Sequence, residues 1–420
     1  MGLIVQKFGG TSVADIDKIK NVAAAAIKEK LNGNDVLVVV SAMGHTTDGL
    51  IKMAHQLNPN PDEREMDMLM STGEVISMSL LAMALQNMGH DAISLTGMQA
   101  GILTENCHMR ARIVDIDTTR VRKHLDEGKI VVVAGFQGVC DDNEVTTLGR
   151  GGSDTTAVAL ACALKAERCD IYPDVEGVYT ADPRTVKTAK KLKMISHEEM
   201  LELARVGANV LHPRSVETAM LNDMQMRVRS SFKLEDKGTL IIGVDKMELT
   251  KPVTGLACDT SQVRIVICDV IDEPGNAARL FNLLAKNNLS VDMIIQSYAR
   301  KSTNTNDIAF TISKDDQPKF DALRDEIMNI VKASNILVDE DIVKISIVGA
   351  GMIDRPGIAA KMFDTLAKEN INIKMISTSE IKISCLAKKE HSNAAALALS
   401  KAFDLDGDEM ADVKGDLPDV

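Results

Sequence analysis

Residues 3–12 of the chain, LIVQKFGGTS, combine a short apolar run with a pair of glycines. The run Leu3–Gln6 is typical of a buried strand, and the pattern from Asp15 onward predicts a helix. Glycines between a strand and a helix let the backbone approach an anion, and Lys7 adds a cation beside them. The stretch therefore predicts an α/β domain with an anion-binding loop at the end of its first strand.

The same alternation of strand and helix patterns continues through the first 245 residues. Short β-branched runs followed by helical periodicity predict a largely parallel sheet covered by helices. The clearest predicted strands are Leu3–Gln6, Asp35–Val40, Lys129–Ala134 and Asp170–Tyr172. The predicted helices are Asp15–Lys30, Glu65–Met88, Ile116–Glu127, Ser153–Lys165 and Ser196–Val206.

An internal repeat begins after Val244. Residues 266–294 align with residues 348–376 without a gap, at a shift of 82, and each copy contains a DxPG turn followed by an amphipathic helix. A period of this length is too long for a solenoid and fits two small α/β modules. We therefore expect one domain over 1–245 and two modules over 246–335 and 336–420, with a strand near 253–259 available to complete the second.

The composition limits the classes of partner. The 60 Asp and Glu residues outnumber the 48 Lys and Arg residues, for a net charge of -12, which argues against a nucleic-acid or anionic-membrane binder. No apolar run reaches the roughly 20 residues of a membrane span, and the first residues lack the basic start of a signal peptide. We expect a soluble cytoplasmic protein with no nucleic-acid or membrane partner.

Three glycine-rich loops follow strand or strand-like segments in the first domain. They are 7–12 (KFGGTS), 41–44 (SAMG) and 149–154 (GRGGSD). Ligands in open α/β sheets bind beyond the carboxyl ends of strands, so we expect these loops to converge on a phosphate or another small anion. No GxxxxGK[ST] motif is present, which excludes the P-loop class.

Several motifs occur in a family-specific order: KFGGTSVAD (7–15), STGEVIS (71–77), LTGMQAG (95–101), TTLGRGGSDTTAVALA (146–161), VEGVYTADPR (175–184) and VGANVLHPRSVE (206–217). With two DxPG modules after them, the chain closely resembles monofunctional aspartate kinases of the amino-acid kinase family, which carry tandem ACT domains. The resemblance implies an α/β three-layer sandwich with a mainly parallel central sheet, followed by two α+β ferredoxin-like modules.

The resemblance also implies an activity and a set of site residues. The reaction would move the γ-phosphoryl group of ATP to the β-carboxylate of L-aspartate, the first step of lysine, threonine and methionine biosynthesis. The implied catalytic residues are Lys7 and Asp154. The implied aspartate-binding residues are Ser41, Thr47, Glu74, Arg150, Gly152 and Ser153. The implied ATP-binding residues are Lys7, Gly9, Gly10, Tyr172, Asp174, Tyr179, Asp182 and Arg184.

Magnesium would arrive with ATP, held largely by phosphate oxygens, so no metal ligands are assigned. Without the resemblance, Glu74 would be interpreted as an acid on a helix surface.

Regulation is implied by the two modules. ACT modules bind end-product amino acids, here lysine or threonine or both, and pair across two-fold axes, which implies a homodimer or a larger oligomer. The implied effector contacts are Asp272, Gly275, Asn276, Ala277, Asp292, Gln296 and Asn372.

Two alternatives remain at the level of sequence. One is another amino-acid kinase with a different acyl acceptor. The other is a catalytically weak amino-acid sensor of the same fold, suggested by Pro173 where the family usually has Ser or Thr and by Asn209 where many members have Lys.

Overall fold

The computed structural model describes residues 2–173, 175–207, 210–231, 233, 235–246, 251–300, 302–353 and 355–407. The strands of the N-terminal domain are β1 (Leu3–Phe8), β2 (Asp35–Val40), β3 (Ala92–Leu95), β4 (Ile102–Thr104), β5 (Ile113–Ile116), β6 (Ile130–Ala134), β7 (Gln137–Val139), β8 (Val145–Thr147), β9 (Arg168–Tyr172), β10 (Met194–Ser196), β11 (Met226–Val228) and β12 (Thr239–Ile242). Its helices are α1 (Ile16–Leu31), α2 (Thr46–Leu57), α3 (Glu63–Asn87), α4 (Thr119–Asp126), α5 (Gly152–Leu164), α6 (His197–Arg205) and α7 (Pro213–Leu221).

The central sheet of this domain has eight strands in the order β10-β12-β11-β9-β1-β2-β6-β3. All neighbours pair in parallel except β11 and β12, so the predicted mainly parallel sheet is confirmed. Successive strand residues face opposite sides, and both sides are covered because both are apolar. Helices α1 and α3 cover one face, and α4, α5, α6 and α7 cover the other. The result is a three-layer sandwich.

The strands and helices predicted from sequence lie within a few residues of observed elements. Helices α2 and α7, the central strands β3, β10, β11 and β12, and one small sheet were not predicted. Helix α2 follows the 41–44 loop, and it has no fully buried residue that would give it a clear apolar face. The helix predicted from Ile116 begins at Thr119, because residues 113–116 form the edge strand β5. That strand belongs to a four-stranded sheet, β5-β4-β7-β8, whose strands are only three or four residues long.

Helix α3 is the one helix in the described part of the chain that is long and apolar enough to cross a membrane. Half of its most apolar stretch is buried inside the protein, and its buried positions include Met70, Met78 and Leu81. Met78 and Leu81 belong to the hydrophobic core on one face of the central sheet.

The C-terminal part forms two four-stranded antiparallel sheets. The strands are β13 (Gly255–Asp259), β14 (Gln262–Ile271), β15 (Asp292–Gln296), β16 (Thr305–Ser313), β17 (Asn335–Asp339), β18 (Ile342–Val348), β19 (Met375–Thr378) and β20 (Lys382–Lys388). The helices are α8 (Asn276–Lys286), α9 (Gln317–Ala322), α10 (Arg324–Val331), α11 (Ile358–Lys368) and α12 (Ser392–Ala402).

The first module contains the sheet β15-β16-β14-β17, and the second contains β13-β18-β20-β19. Because β17 pairs with β14, the first sheet extends to Asp339, beyond the boundary expected at 335/336. Strand β13 precedes the first module in the chain but pairs with β18 of the second.

The repeat detected in the sequence is visible in the backbone. Helices α8 and α11 begin and end at positions that differ by the predicted shift of 82 residues. Each is preceded by a glycine in the left-handed region, Gly275 at φ 98° and Gly357 at φ 96°. A side chain with a Cβ rarely adopts this conformation, so the DxPG turn needs its glycine.

The second module is joined to the N-terminal domain through a buried carboxylate. Glu199 in α6 is 1% exposed, and its Oε1 accepts hydrogen bonds from Thr254 Oγ1 at 2.6 Å and from the Ala350 amide at 2.8 Å. Its Oε2 accepts from the Ser196 amide and completes a capping box at the start of α6. Glu199 therefore ties the start of one helix to two segments of the second module.

Candidate active site

The three glycine-rich loops meet in one cavity of about 680 Å³ at the carboxyl ends of β1 and β2. Helices α2, α3 and α5 complete its walls. The predicted site residues that line it are Lys7, Gly10, Ser41, Thr47, Glu74, Arg150, Gly152, Ser153 and Asp154. The structure thus brings together all the residues predicted to bind aspartate and both residues predicted to be catalytic.

Lys7 and Asp154 form the central ion pair of this cavity. Lys7 Nζ lies 2.6 Å from Asp154 Oδ1, and the two side chains are 11% and 13% exposed. Lys7 comes from the end of β1, and Asp154 from the first turn of α5. Ion pairs that are shielded from water are screened less than exposed ones, so the pair fixes both groups in position.

The first glycine loop packs against the second. The Gly44 amide donates to the Gly10 carbonyl at 3.0 Å. A Cβ on Gly10 would lie 2.9 Å from the Ala42 carbonyl oxygen, which is backbone and cannot move aside. Gly10 is therefore required for the two loops to form one wall of the cavity. The Gly9 amide in turn donates to the Tyr172 carbonyl at 3.4 Å, which ties the first loop to β9.

Glu74 is buried, so its interpretation as a surface acid is excluded. It is 3% exposed, and its Oε1 accepts a hydrogen bond from the Ala42 amide at 3.1 Å. Its Oε2 has no hydrogen-bonding partner among the described residues. Burial raises the pKa of Glu74 to about 7, against the opposing effects of the Ala42 amide and of Lys7. This carboxylate is suited to receive a cation.

Arg150 lies at the open side of the cavity. It is exposed and, among the described residues, its guanidinium has no ion-pair partner, so its donors are available to a ligand carboxylate. The adjacent helix α5 begins at Gly152 without a side-chain cap. Its first turn lines the cavity, so its amides add to the anion-binding character of this wall.

One element of the cavity was not predicted from the sequence. Asp67 in α3 is fully buried and accepts hydrogen bonds from His108 Nδ1 at 2.8 Å, the Met109 amide at 3.1 Å and Thr147 Oγ1 at 2.5 Å. Met109 lines the cavity and has φ 65°, a left-handed value that is unusual for a residue with a side chain. Asp67 thus holds the cavity-lining backbone at Met109. No local motif signals this role, because its partners lie about 40 and 80 residues away.

The residues predicted to bind ATP are divided between two places. Tyr172 is 1% exposed, and its ring stacks on Phe8 with the centroids 4.3 Å apart, so its phenol lies in the core. Tyr179, Asp182 and Arg184 line a separate cavity of about 650 Å³ between the N-terminal domain and the second module. The predicted residue Asp174 lies outside the described residues, as does Asn209.

In the first module, five of the seven predicted effector contacts line one pocket of about 210 Å³. They are Asp272, Gly275, Asn276, Ala277 and Gln296. Asp292 instead pairs with Lys344 of the second module, at 2.8 Å between Oδ2 and Nζ. Asn372 is exposed in the second module and does not line the pocket within this chain.

No group of three or more His, Cys, Asp or Glu side chains within the described ranges could hold a metal ion. Asp154, one of the carboxylates that line the cavity, is paired with Lys7.

Comparison with known proteins places this architecture in a family. The model of the amino acid kinase family matches residues 2–230, and an ACT domain model matches residues 345–403. The chain is 51% identical to an aspartokinase of Bacillus sp. (strain MGA3) over 97% of this chain and 98% of that protein. It is also 51% identical to aspartokinase 2 of Bacillus subtilis over 96% of this chain and 98% of that protein.

Solved structures similar to this chain include aspartokinases. E. coli aspartokinase III in complex with aspartate and ADP (R-state) has a TM-score of 0.83 and 27% identity, covering 95% of this chain and 99% of that one. The same enzyme in complex with lysine and aspartate (T-state) has a TM-score of 0.74 and 27% identity, covering 96% of this chain and 99% of that one. The sequence resemblance is therefore confirmed, and the chain belongs to the amino acid kinase family, among the aspartokinases.

Proposed function

We propose that the chain transfers the γ-phosphoryl group of ATP to the β-carboxylate of L-aspartate, giving 4-phospho-L-aspartate and ADP. The observation that carries the proposal is the single cavity that holds Lys7, Asp154, Glu74 and Arg150 at the carboxyl ends of parallel strands. Full-length relatives at 51% identity are aspartokinases. The reaction would open lysine, threonine and methionine biosynthesis in the cytoplasm.

The cavity matches the charges of aspartate. The Arg150 guanidinium would bind the α-carboxylate through two parallel hydrogen bonds. Glu74 and Asp154 would face the ammonium group, while Ser41, Thr47, Gly152 and Ser153 supply polar neighbours. The β-carboxylate is then left free to attack. It needs no general base, because a carboxylate at neutral pH is already deprotonated.

Phosphoryl transfer depends mainly on alignment and on charge stabilisation. Lys7 would stabilise the negative charge on the transferring phosphoryl group, and the ion pair with Asp154 would hold its Nζ in position. Gly9 and Gly10 would let the backbone approach the phosphates. We assign the rest of the nucleotide to Tyr172 through its backbone and to Asp174, Tyr179, Asp182 and Arg184.

We expect magnesium to bind at this site only together with ATP. Mg²⁺ in such sites is commonly held by one or two carboxylates together with substrate phosphates, and the described residues offer no dedicated cluster. The ion would offset phosphate charge, held largely by phosphate oxygens.

The two C-terminal modules would regulate the reaction. E. coli aspartokinase III has been solved with lysine, and the 210 Å³ pocket at the first DxPG turn is the place where we expect lysine, threonine or both to bind. Asp292 and Asn372 would complete that site in a homodimer or a larger oligomer. We assign the catalytic domain to 1–245, the first module to 262–339, and the second to β13 together with residues 342–403.

The proposal is tested by measuring ADP release with a panel of acceptors: L-aspartate, L-glutamate and N-acetyl-L-glutamate. We expect activity with aspartate and at least tenfold less with each of the others, because a longer chain misplaces the reacting carboxylate. Equal or greater activity with another acceptor would instead identify a different amino-acid kinase. The absence of any acceptor-dependent ADP release would favour the sensor alternative.

A further inference from the structure

A second polar cavity, of about 370 Å³, lies at the opposite end of the sheet from the catalytic cavity. It is lined by the last turns of α1, by the start of β9 and by β11 with the segment that follows it. Its lining residues are Lys28, Glu29, Asn32, Asn34, Glu167, Arg168, Arg227, Arg229 and Glu235. Nothing in the proposed reaction uses this cavity.

Two of its three arginines are neutralised by buried acids. Arg168 donates to Glu29 Oε1 at 3.1 Å and to Asp170 Oδ1 at 3.1 Å. Arg229 Nη1 lies 3.3 Å from Asp170 Oδ2 and 3.5 Å from Glu29 Oε1. Asp170 is fully buried, so its two oxygens serve these two guanidinium groups.

Arg227 is left without a counterion. It is 8% exposed, and no hydrogen bond or ion pair connects its guanidinium to any other residue that the structure describes. Its strand neighbour across the sheet is Asp170, which is already shared by Arg168 and Arg229. Burial lowers the pKa of Arg227, and the two neighbouring guanidiniums lower it further, although Asp170 and Glu29 oppose them. A buried, uncompensated charge is costly unless a partner is supplied.

The acids at the rim do not supply that partner. Glu235 is paired with Lys28 at 2.6 Å and its side chain is 91% exposed. Glu167 lies 3.9 Å from Arg168 and its side chain is 39% exposed. Their charges are screened by water, whereas Arg227 faces the cavity from its inner wall.

We propose that this cavity is a binding site for a small oxyanion carrying a phosphate group, which pairs with Arg227 and lies beside the cationic side chains of Arg168 and Arg229. Guanidinium groups match the geometry of phosphate oxygens, and three of them converge here. The ligand is either free inorganic phosphate or a small phosphomonoester, since both present the same group.

The test compares thermal unfolding of the full chain in phosphate and in chloride at equal ionic strength. Four proteins are used: wild type, Arg227→Gln, Lys7→Ala and Arg120→Gln. Lys7→Ala controls for phosphate in the catalytic cavity, and Arg120→Gln removes an exposed arginine from α4. Inorganic phosphate and methyl phosphate are titrated separately, and the tighter of the two identifies the source of the phosphate group.

We expect phosphate to raise the unfolding midpoint of wild type, Lys7→Ala and Arg120→Gln. In Arg227→Gln the apparent affinity should fall at least tenfold. In chloride alone, Arg227→Gln should be at least as stable as wild type, because it removes an unpaired buried charge. If Arg227→Gln does not fold, Arg227→Lys replaces it and should show an intermediate loss of affinity. An unchanged phosphate response in the Arg227 variant, a response lost only in Lys7→Ala, or no response in wild type would each overturn the proposal.

Discussion

Lys7 Nζ and Asp154 Oδ1 lie 2.6 Å apart, although the two residues are separated by almost 150 positions in the chain. Strand β1 delivers the lysine, and the first turn of helix α5 delivers the acid. Lys7 places a positive charge where the glycine loops converge, in a protein whose net charge is -12, and Asp154 holds that charge in position. The site therefore has a cation available for an anionic co-substrate even though the protein as a whole is negatively charged.

Replacing Lys7 by Ala should lower kcat by about 10²- to 10³-fold, the effect expected when one group that stabilises transition-state charge is removed. The KM for aspartate should change much less. Steady-state kinetics with Lys20→Ala, an exposed lysine of α1, as the control would check this. A kcat within threefold of wild type would contradict the role assigned to Lys7.

The pH dependence of aspartate binding should follow Glu74. Burial raises its pKa to about 7, so the carboxylate that would receive the ammonium group becomes charged only as the pH rises through that value. The KM for aspartate should therefore fall between pH 6 and pH 8, and the dependence should disappear in Glu74→Gln at a uniformly high KM. A KM profile that is flat across this range in wild type would be inconsistent with this role.

Ionisation of Glu74, which should favour aspartate binding, should lower the stability of the folded protein. A carboxyl group whose pKa is raised on folding binds more protons in the folded state than in the unfolded state. The free energy of unfolding therefore decreases as the pH rises from about 4.5 to about 7. At pH 8 the folded protein carries a penalty of about 3 kcal/mol from this residue. Glu74→Gln should therefore be more stable than wild type at pH 8 and no more stable at pH 5. Denaturant titrations at the two pH values measure this, and a variant less stable than wild type at pH 8 would refute it.

Replacing Arg150 by Ala should raise the KM for aspartate by roughly 10- to 100-fold, since a charge-assisted bidentate interaction contributes about 1.5–3 kcal/mol. Arg150→Lys should recover only part of the loss, because an ammonium group cannot form the two parallel hydrogen bonds. The KM for ATP serves as the internal control and should stay within about twofold. A parallel rise in both KM values would point to a general distortion of the cavity.

Glu199→Ala should destabilise the contact between the N-terminal domain and the second module. It leaves the buried Ala350 amide and the Thr254 hydroxyl without their acceptor, at a cost of about 2–4 kcal/mol. Glu217→Ala, at an exposed position in α7, should change stability by less than about 0.5 kcal/mol. The unfolding temperature and the inhibition by lysine should be measured for both variants. We expect the Glu199 variant alone to unfold at a lower temperature and to be inhibited less. Unchanged inhibition by lysine would show that Glu199 does not couple the second module to the catalytic domain.

The parts of the fold that sequence predicted well are those set by local pattern. The limits of β2 agree with the apolar run Asp35–Val40, and the DxPG copies gave the offset of α8 and α11. Convergence of the glycine loops also followed, because parallel strands place their carboxyl ends at one edge.

The features of the fold and the site that were not predicted depend on contacts between segments that are distant in the chain. The hydrogen bonds from His108 and Met109 to Asp67 join residues about 40 positions apart. The burial of Glu74 required the packing of α3 against the 41–44 loop, which no helical periodicity reveals. The unpaired Arg227 became visible only when its neighbours on adjacent strands were known.

The most direct test of the central claim is the formation of acyl phosphate by the purified chain, trapped as hydroxamate in the presence of hydroxylamine. We expect aspartyl hydroxamate that requires ATP, Mg²⁺ and L-aspartate together and that falls at least 100-fold in Lys7→Ala. Wild-type protein that forms no hydroxamate above a control without aspartate would contradict it.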